Sequence, residues 1–218
     1  MKKALRIFFI GADALVIAFV FLAAFTNLFT VNLTLWNTGV RKLVFYTVDS
    51  NILAALALLI TLPFKYRRLV NGGPLPLFCV LLTFAGVVST TVTFMTVILF
   101  LGPTMGFGGM YEGNNFFLHL LCPVLAVLSF VFDISSDKKF KFRYTPIAVI
   151  PTAVYAAVYF VMVMVIGREN GGWSDFYGFN AGGMWYVSCT AIISSSYIFG
   201  VLLWLAHRLP EKRELSCV

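Results

Sequence analysis

The sequence predicts an all-α fold, a single bundle of six transmembrane helices, on three observations. The chain of 218 residues is 60% hydrophobic and only 11% charged, where an ordinary soluble domain is about 25% charged. Apolar runs of about 20 residues, enough to cross a hydrocarbon core of roughly 30 Å at 1.5 Å per helical residue, recur along its whole length. Polar residues inside those runs fall at helical rather than alternating spacing, and in lipid each segment must satisfy its own backbone hydrogen bonds, so the runs are helices and not barrel strands.

The first expected span, 6–29, follows the basic stretch MKKALR and could be mistaken for a signal peptide. Its apolar run from Ile7 to Phe29 is longer than the usual h-region and contains Asp13, so it is read as a retained span. The second, 43–64, opens with FYTVDSNIL and ends before KYRR. The third, 76–101, lies between Pro76 and Gly102 and carries STTVTFMT, whose small hydroxylated residues suit close helix packing. The fourth, 115–134, follows the Gly-rich GPTMGFGGMYEGNN. The fifth, 145–166, carries Pro146 and Pro151, and the sixth, 183–206, follows GRENGGWSDFYGFNAGG and closes at HRLPEKR. One domain, 1–210, with a short cytoplasmic tail at 211–218, uses up the chain.

Orientation follows from the Lys and Arg bias of short loops. Of the 16 basic residues, only Arg41, Lys42 and Arg168 fall on the side opposite the termini, so both termini are expected in the cytoplasm. The basic clusters account for the net charge of +7 as topology determinants on a solvated face against anionic headgroups. They imply no nucleic-acid partner. Cys79, Cys122, Cys189 and Cys217 lack the spacing of a metal site and are read as unpaired. No cofactor is implied, and the oligomeric state is not legible.

Ionisable residues inside a membrane helix cost about 2.5–3.5 kcal/mol on insertion scales and are candidates for function. Asp13, Asp49 and His119 qualify. In the second span Thr47, Ser50, Asn51 and Ala54 recur at i, i+3, i+4 and i+7 and share a face, with Asp49 pointing elsewhere. In the fourth, Asn115, His119, Cys122 and Pro123 share a face. Thr47 and His119 lie level, about four residues or roughly 6 Å from the outer ends of their spans. A hydroxyl with a neutral imidazole in reach is a nucleophile and its base, and Asn51, Asn115 or Ser50 would orient substrate or steady an oxyanion. The bland alternative is that these polar stripes are helix glue. Asp13 and Asp49 are the candidates for proton linkage, with a structural hydrogen bond to Ser or Thr the alternative for Asp13. The outer loops would be either a lid over a cavity or interfacial connectors.

The blocks FYTVDSN, FFLHLLCPVLAVLSFVFD and WSDFYGFN resemble a six-helix family that includes androgen-induced protein 1 and androgen-dependent TFPI-regulating protein, with bacterial relatives. The first block resembles that family's Phe-Thr-x-x-Ser-Asn block, the second its His-x-x-x-Pro block, and the third its Tyr-Pro-Tyr-Pro-Phe loop, here without the prolines. The resemblance implies an intramembrane threonine hydrolase of fatty acyl esters in a bacterial inner membrane, with Thr47 and His119 as its essential pair. The rival class is a non-catalytic lipid-binding or proton-coupled transport protein.

Overall fold

A computed structural model describes residues 3–25, 40–134 and 140–215. Lys138 and Lys139 of the basic DKKFKFR cluster, Cys217 and the expected end of the first span at 26–29 lie outside the described residues. Six helices are long and apolar enough to cross a membrane: α1 (Lys3–Ala24), α2 (Tyr46–Asn71), α3 (Leu77–Thr104), α4 (Asn114–Asp133), α5 (Phe142–Ile166) and α6 (Trp185–Leu209). No strand occurs among the described residues. The protein is an integral membrane helical bundle, and large apolar side chains such as Leu59, Ile60, Leu99, Val154 and Ile198 face outward, where lipid would lie.

Among the described residues, two boundaries differ from the sequence reading by more than three residues. α2 passes through Pro63 and runs to Asn71, because a membrane helix can re-satisfy the backbone group that a proline frees. α6 continues as helix to Leu215, so 211–215, expected in a tail, are helical, as the good helix formers Glu, Lys, Arg and Leu in EKREL favour.

α3 lies at the centre, packing against α2, α4, α5 and α6, while α1 packs on α2 and α4. Close approach rests on small residues. A Cβ on Gly86 of α3 would sit 2.8 Å from Ala54 Cα of α2, and one on Gly200 of α6 would sit 2.9 Å from Ala148 Cβ. The α3 hydroxyls mostly bond back to their own helix: Ser89 donates to Ala85 O at 2.8 Å and Thr91 to Val87 O at 2.8 Å.

The end of the bundle that carries both termini holds buried charge. Lys65 of α2 is 1% exposed and its ammonium lies 2.5 Å from Asp13 Oδ2 of α1 and 2.9 Å from Asp133 Oδ2 of α4, and it donates to Ser129 Oγ at 2.8 Å. Arg68, one turn on, donates to both the carboxylate and the backbone carbonyl of Asp133. This corrects the reading of KYRR as a wholly solvated topology cluster. Thr61, Lys65 and Arg68 fall at i, i+4 and i+7 on the buried face of α2, and the helix is long enough to carry two cations back into the bundle to meet two aspartates. Asp13 accordingly has a lysine for its main partner, not only the expected hydroxyl.

Candidate ligand cavity

At the opposite end, α2 begins without a side-chain cap: Phe45 is extended and makes no capping hydrogen bond. A helix start leaves backbone N–H groups without intrahelical partners. Val48 and Asp49 N–H reach Phe45 O at 3.0 and 3.2 Å. Tyr46 N–H instead donates to the hydroxyl of Tyr177, at 3.1 Å, across 131 residues of sequence. The loop between α5 and α6 therefore folds inward over the bundle and is no mere connector.

Asp175 holds that loop in place. Its carboxylate accepts Tyr159 O–H of α5 at 3.0 Å, Phe179 N–H at 2.7 Å and Asn180 N–H at 2.8 Å, while Tyr177 N–H donates to Tyr159 Oη at 3.1 Å. Rings of Trp173, Phe176, Tyr177 and Phe179 surround Tyr159, with centroids 5.1 to 5.9 Å away. Gly167 and Gly171 turn the chain at φ +71° and +86°, values open to glycine. A Cβ on Gly172 would strike Met162 O at 2.2 Å.

Beneath the loop lies a cavity of about 340 Å³ between α2, α3, α5 and α6, within the range of small-ligand sites. Thr47, Thr93, Thr152 and the tyrosines 46, 155, 159 and 177 are among the hydroxyl-bearing residues of its wall, and Val92, Met95, Phe199 and others supply apolar surface. Leu99 and Phe100, 70% and 55% exposed, share its rim on the outer face of the bundle. They belong to a π-helical turn, Val97–Leu101, a local irregularity that recurs at functional sites. The cavity is thus bordered by the lipid-facing surface and covered by the loop.

The structure separates the residues singled out from sequence. Thr47 stands on the cavity wall. Ser50 lies behind it, bonded to Thr47 O at 3.1 Å and Thr93 Oγ1 at 2.9 Å. Asn51 is fully buried and gives its amide to Thr47 O at 2.7 Å and Leu118 O at 2.9 Å. Its donors are spent tying α2 to α4, so Asn51 and Ser50 act as helix glue and not as oxyanion donors. Asn115 donates to Gly109 O at 3.1 Å in the loop before α4 and is off the wall.

His119 is buried in a second π-helical turn, Phe117–Leu121, with Nδ1 2.7 Å from Met110 O. Pro123, four residues on, cannot donate to the His119 carbonyl, a local reason for the departure from α geometry. Among the described residues no hydrogen bond joins His119 to Thr47, and His119 is not on the cavity wall. The two are neighbours by helix only, through the Asn51 link to Leu118. Asp49 is half-buried and off the wall, and Asp13 sits at the far end on Lys65.

Sequence reasoning missed Tyr177, Tyr159 and Asp175. For Asp175 and Tyr177 the signal was the density of aromatics around one aspartate in WSDFYGFN, but nothing in that pattern says that the segment turns inward to meet Tyr159 of α5. Among the described residues no group of three or more His, Cys, Asp or Glu could hold a metal, and Cys79, Cys122 and Cys189 are free thiols. Comparisons with protein-family models, with curated proteins and with solved structures find no match. The family likeness therefore rests on its three short blocks alone.

Proposed function

We propose that the protein is an intramembrane hydrolase of long-chain acyl esters, with Thr47 as nucleophile, and that the cavity takes the acyl chain from the outer leaflet. The observation that carries this reading is the place of Thr47: a hydroxyl at the start of a helix, on the wall of a lipid-bordered cavity lined by both hydroxyl-bearing and apolar residues. The tautomer of His119 supports it further. A backbone carbonyl can only accept, so Met110 O holds the proton on Nδ1 and leaves Nε2 as the basic nitrogen. Reaction would bring Nε2 to the Thr47 hydroxyl, since a general base acts within hydrogen-bond reach. The Lys and Arg bias of the loops supports an outer position for the cavity end.

A second reading, a non-catalytic binder of the same amphiphile, is favoured by one observation: His119 lies off the wall. Proton-coupled transport has less support, because Asp13 is held by Lys65 and neither it nor Asp49 lines the cavity.

The test uses purified full-length chain in nanodiscs with a long-chain p-nitrophenyl ester and a fluorophosphonate probe. A hydrolase shows turnover and labelling, both lost in Thr47→Ala and in His119→Ala while the fold persists. Probe labelling that survives Thr47→Ala would remove the hydrolase and leave the binder.

A further inference from the structure

Four tyrosines meet at the cavity, and the protons of three go to partners other than Thr47. Tyr155 O–H donates to Val44 O at 2.7 Å, and Tyr159 O–H donates to Asp175 at 3.0 Å. Ser196 donates to Ala148 O at 3.1 Å, so the 3.1 Å contact of Thr152 to Ser196 uses the Thr152 proton, and the 2.7 Å contact of Tyr46 to Thr152 uses the Tyr46 proton. Each hydroxyl has one proton, which fixes the direction of that chain. Tyr177 differs. Its oxygen accepts Tyr46 N–H, and its hydroxyl hydrogen-bonds the side chains of Thr47 and Tyr155, so its proton stands beside the oxygen proposed to attack.

We propose that Tyr177 is a catalytic hydrogen-bond donor, whose phenol O–H holds the carbonyl oxygen of the ester that Thr47 attacks. This rests on the hydrolase reading above. Both side chains line the same cavity, on elements joined by the bond from Tyr46 N–H, the residue before Thr47. The donor is fixed in advance, because Tyr159 accepts the Tyr177 N–H and Asp175 those of Phe179 and Asn180, which holds the loop backbone at and just after Tyr177. Such preorganisation is what makes an oxyanion donor effective. Burial raises the Tyr177 pKa above the ordinary phenol value, with the neighbouring Thr47, Tyr46 and Tyr155 groups acting in the opposite, smaller sense, so the proton stays in place at neutral pH.

In the step itself, Thr47 Oγ bonds to the carbonyl carbon as the carbonyl π pair moves onto oxygen. Tyr177 hydrogen-bonds that oxygen without giving up its proton. The Thr47 proton goes to the general base, which on the hydrolase reading is His119 once Nε2 is brought to Thr47, and then to the departing alkoxide as the ester C–O bond breaks; water later releases the acid by the same route.

The experiment measures ester turnover by Tyr177→Phe and its inhibition by a long-chain trifluoromethyl ketone, which forms a hemiketal with a nucleophilic hydroxyl, and by the alcohol of the same chain length, which does not. Loss of one oxyanion donor typically costs about 10²–10³ in kcat. We expect a fall of that order with little change in KM, and ketone binding weakened by a similar factor while alcohol binding is unchanged. A kcat within threefold of the unaltered protein, or equal weakening of ketone and alcohol, overturns the proposal. Should the unaltered protein show no turnover that depends on Thr47, the hydrolase reading itself falls, a result distinct from either. If Tyr177→Phe does not fold, 3,5-difluorotyrosine at 177 keeps the shape and lowers the phenol pKa: turnover should then decline at lower pH than before, whereas an unmoved alkaline limb counts against Tyr177.

Discussion

The two ends of this bundle are both polar, but in different ways. At the end carrying the termini, Lys65, Arg68, Asp13 and Asp133 form a closed set of opposite charges from three helices, each nearly or wholly inaccessible. At the loop end, the polar groups are neutral hydroxyls around empty space, half-ordered into chains and covered by a loop. The charges pair with one another across helices, with Asp13 Oδ1 left without a hydrogen-bond partner among the described residues, whereas the hydroxyls border a cavity. The difference teaches that an ionisable residue inside a membrane helix need not border a cavity: here the buried charges pair with one another and the cavity is bordered by hydroxyls. Asp13, the most conspicuous ionisable residue in the sequence, belongs to the structural end.

Four substitutions can break or sharpen that contrast, read as stability in thermal or denaturant unfolding of the detergent-solubilised chain. Lys65→Ala leaves two buried carboxylates facing each other without their shared cation, and loss of one partner of a buried pair costs about 3–5 kcal/mol. It should be the most damaging, and Lys65→Met combined with Asp13→Asn and Asp133→Asn should recover much of the loss. A marginal effect of Lys65→Ala would mean that the charged end is not closed to water.

Next, Gly86→Val forces a side chain into the 2.8 Å approach between α3 and Ala54 of α2, and overpacking costs about 1–3 kcal/mol. That contact lies between the two ends, so both should loosen together. At the cavity, Tyr46→Phe removes the first donor of the chain through Thr152 and Ser196, with an expected cost of about 1 kcal/mol. Thr47→Ala should be nearly silent for stability, within about 0.5 kcal/mol, while turnover disappears. A Thr47→Ala variant as unstable as Lys65→Ala would show that Thr47 is structural and erase the contrast.

Much of this was legible beforehand. Six apolar runs of spanning length correspond to six helices, with described limits within three residues of the expected ones except where α2 runs on to Asn71 and α6 to Leu215, since hydrophobic length answers directly to bilayer thickness. The i, i+3, i+4 face of Thr47, Ser50 and Asn51 was also legible, and all three do point inward. What each one meets there was not. Asn51 and Ser50 are spent on neighbouring helices, Asn115 on Gly109, and His119 on Met110, because partner choice depends on helix rotation and packing, which periodicity does not encode.

Composition and periodicity by themselves determined that the chain crosses a membrane as helices and which faces turn inward, because burying backbone and apolar surface in lipid is a local requirement that each segment meets alone. Only the tertiary structure decided that Lys65 leaves the solvated side to neutralise Asp13 and Asp133, and that Tyr177 comes from a distant loop to cap α2 beside Thr47. Those are pairings between segments, set by which helices touch and at what depth, and no single segment carries that information.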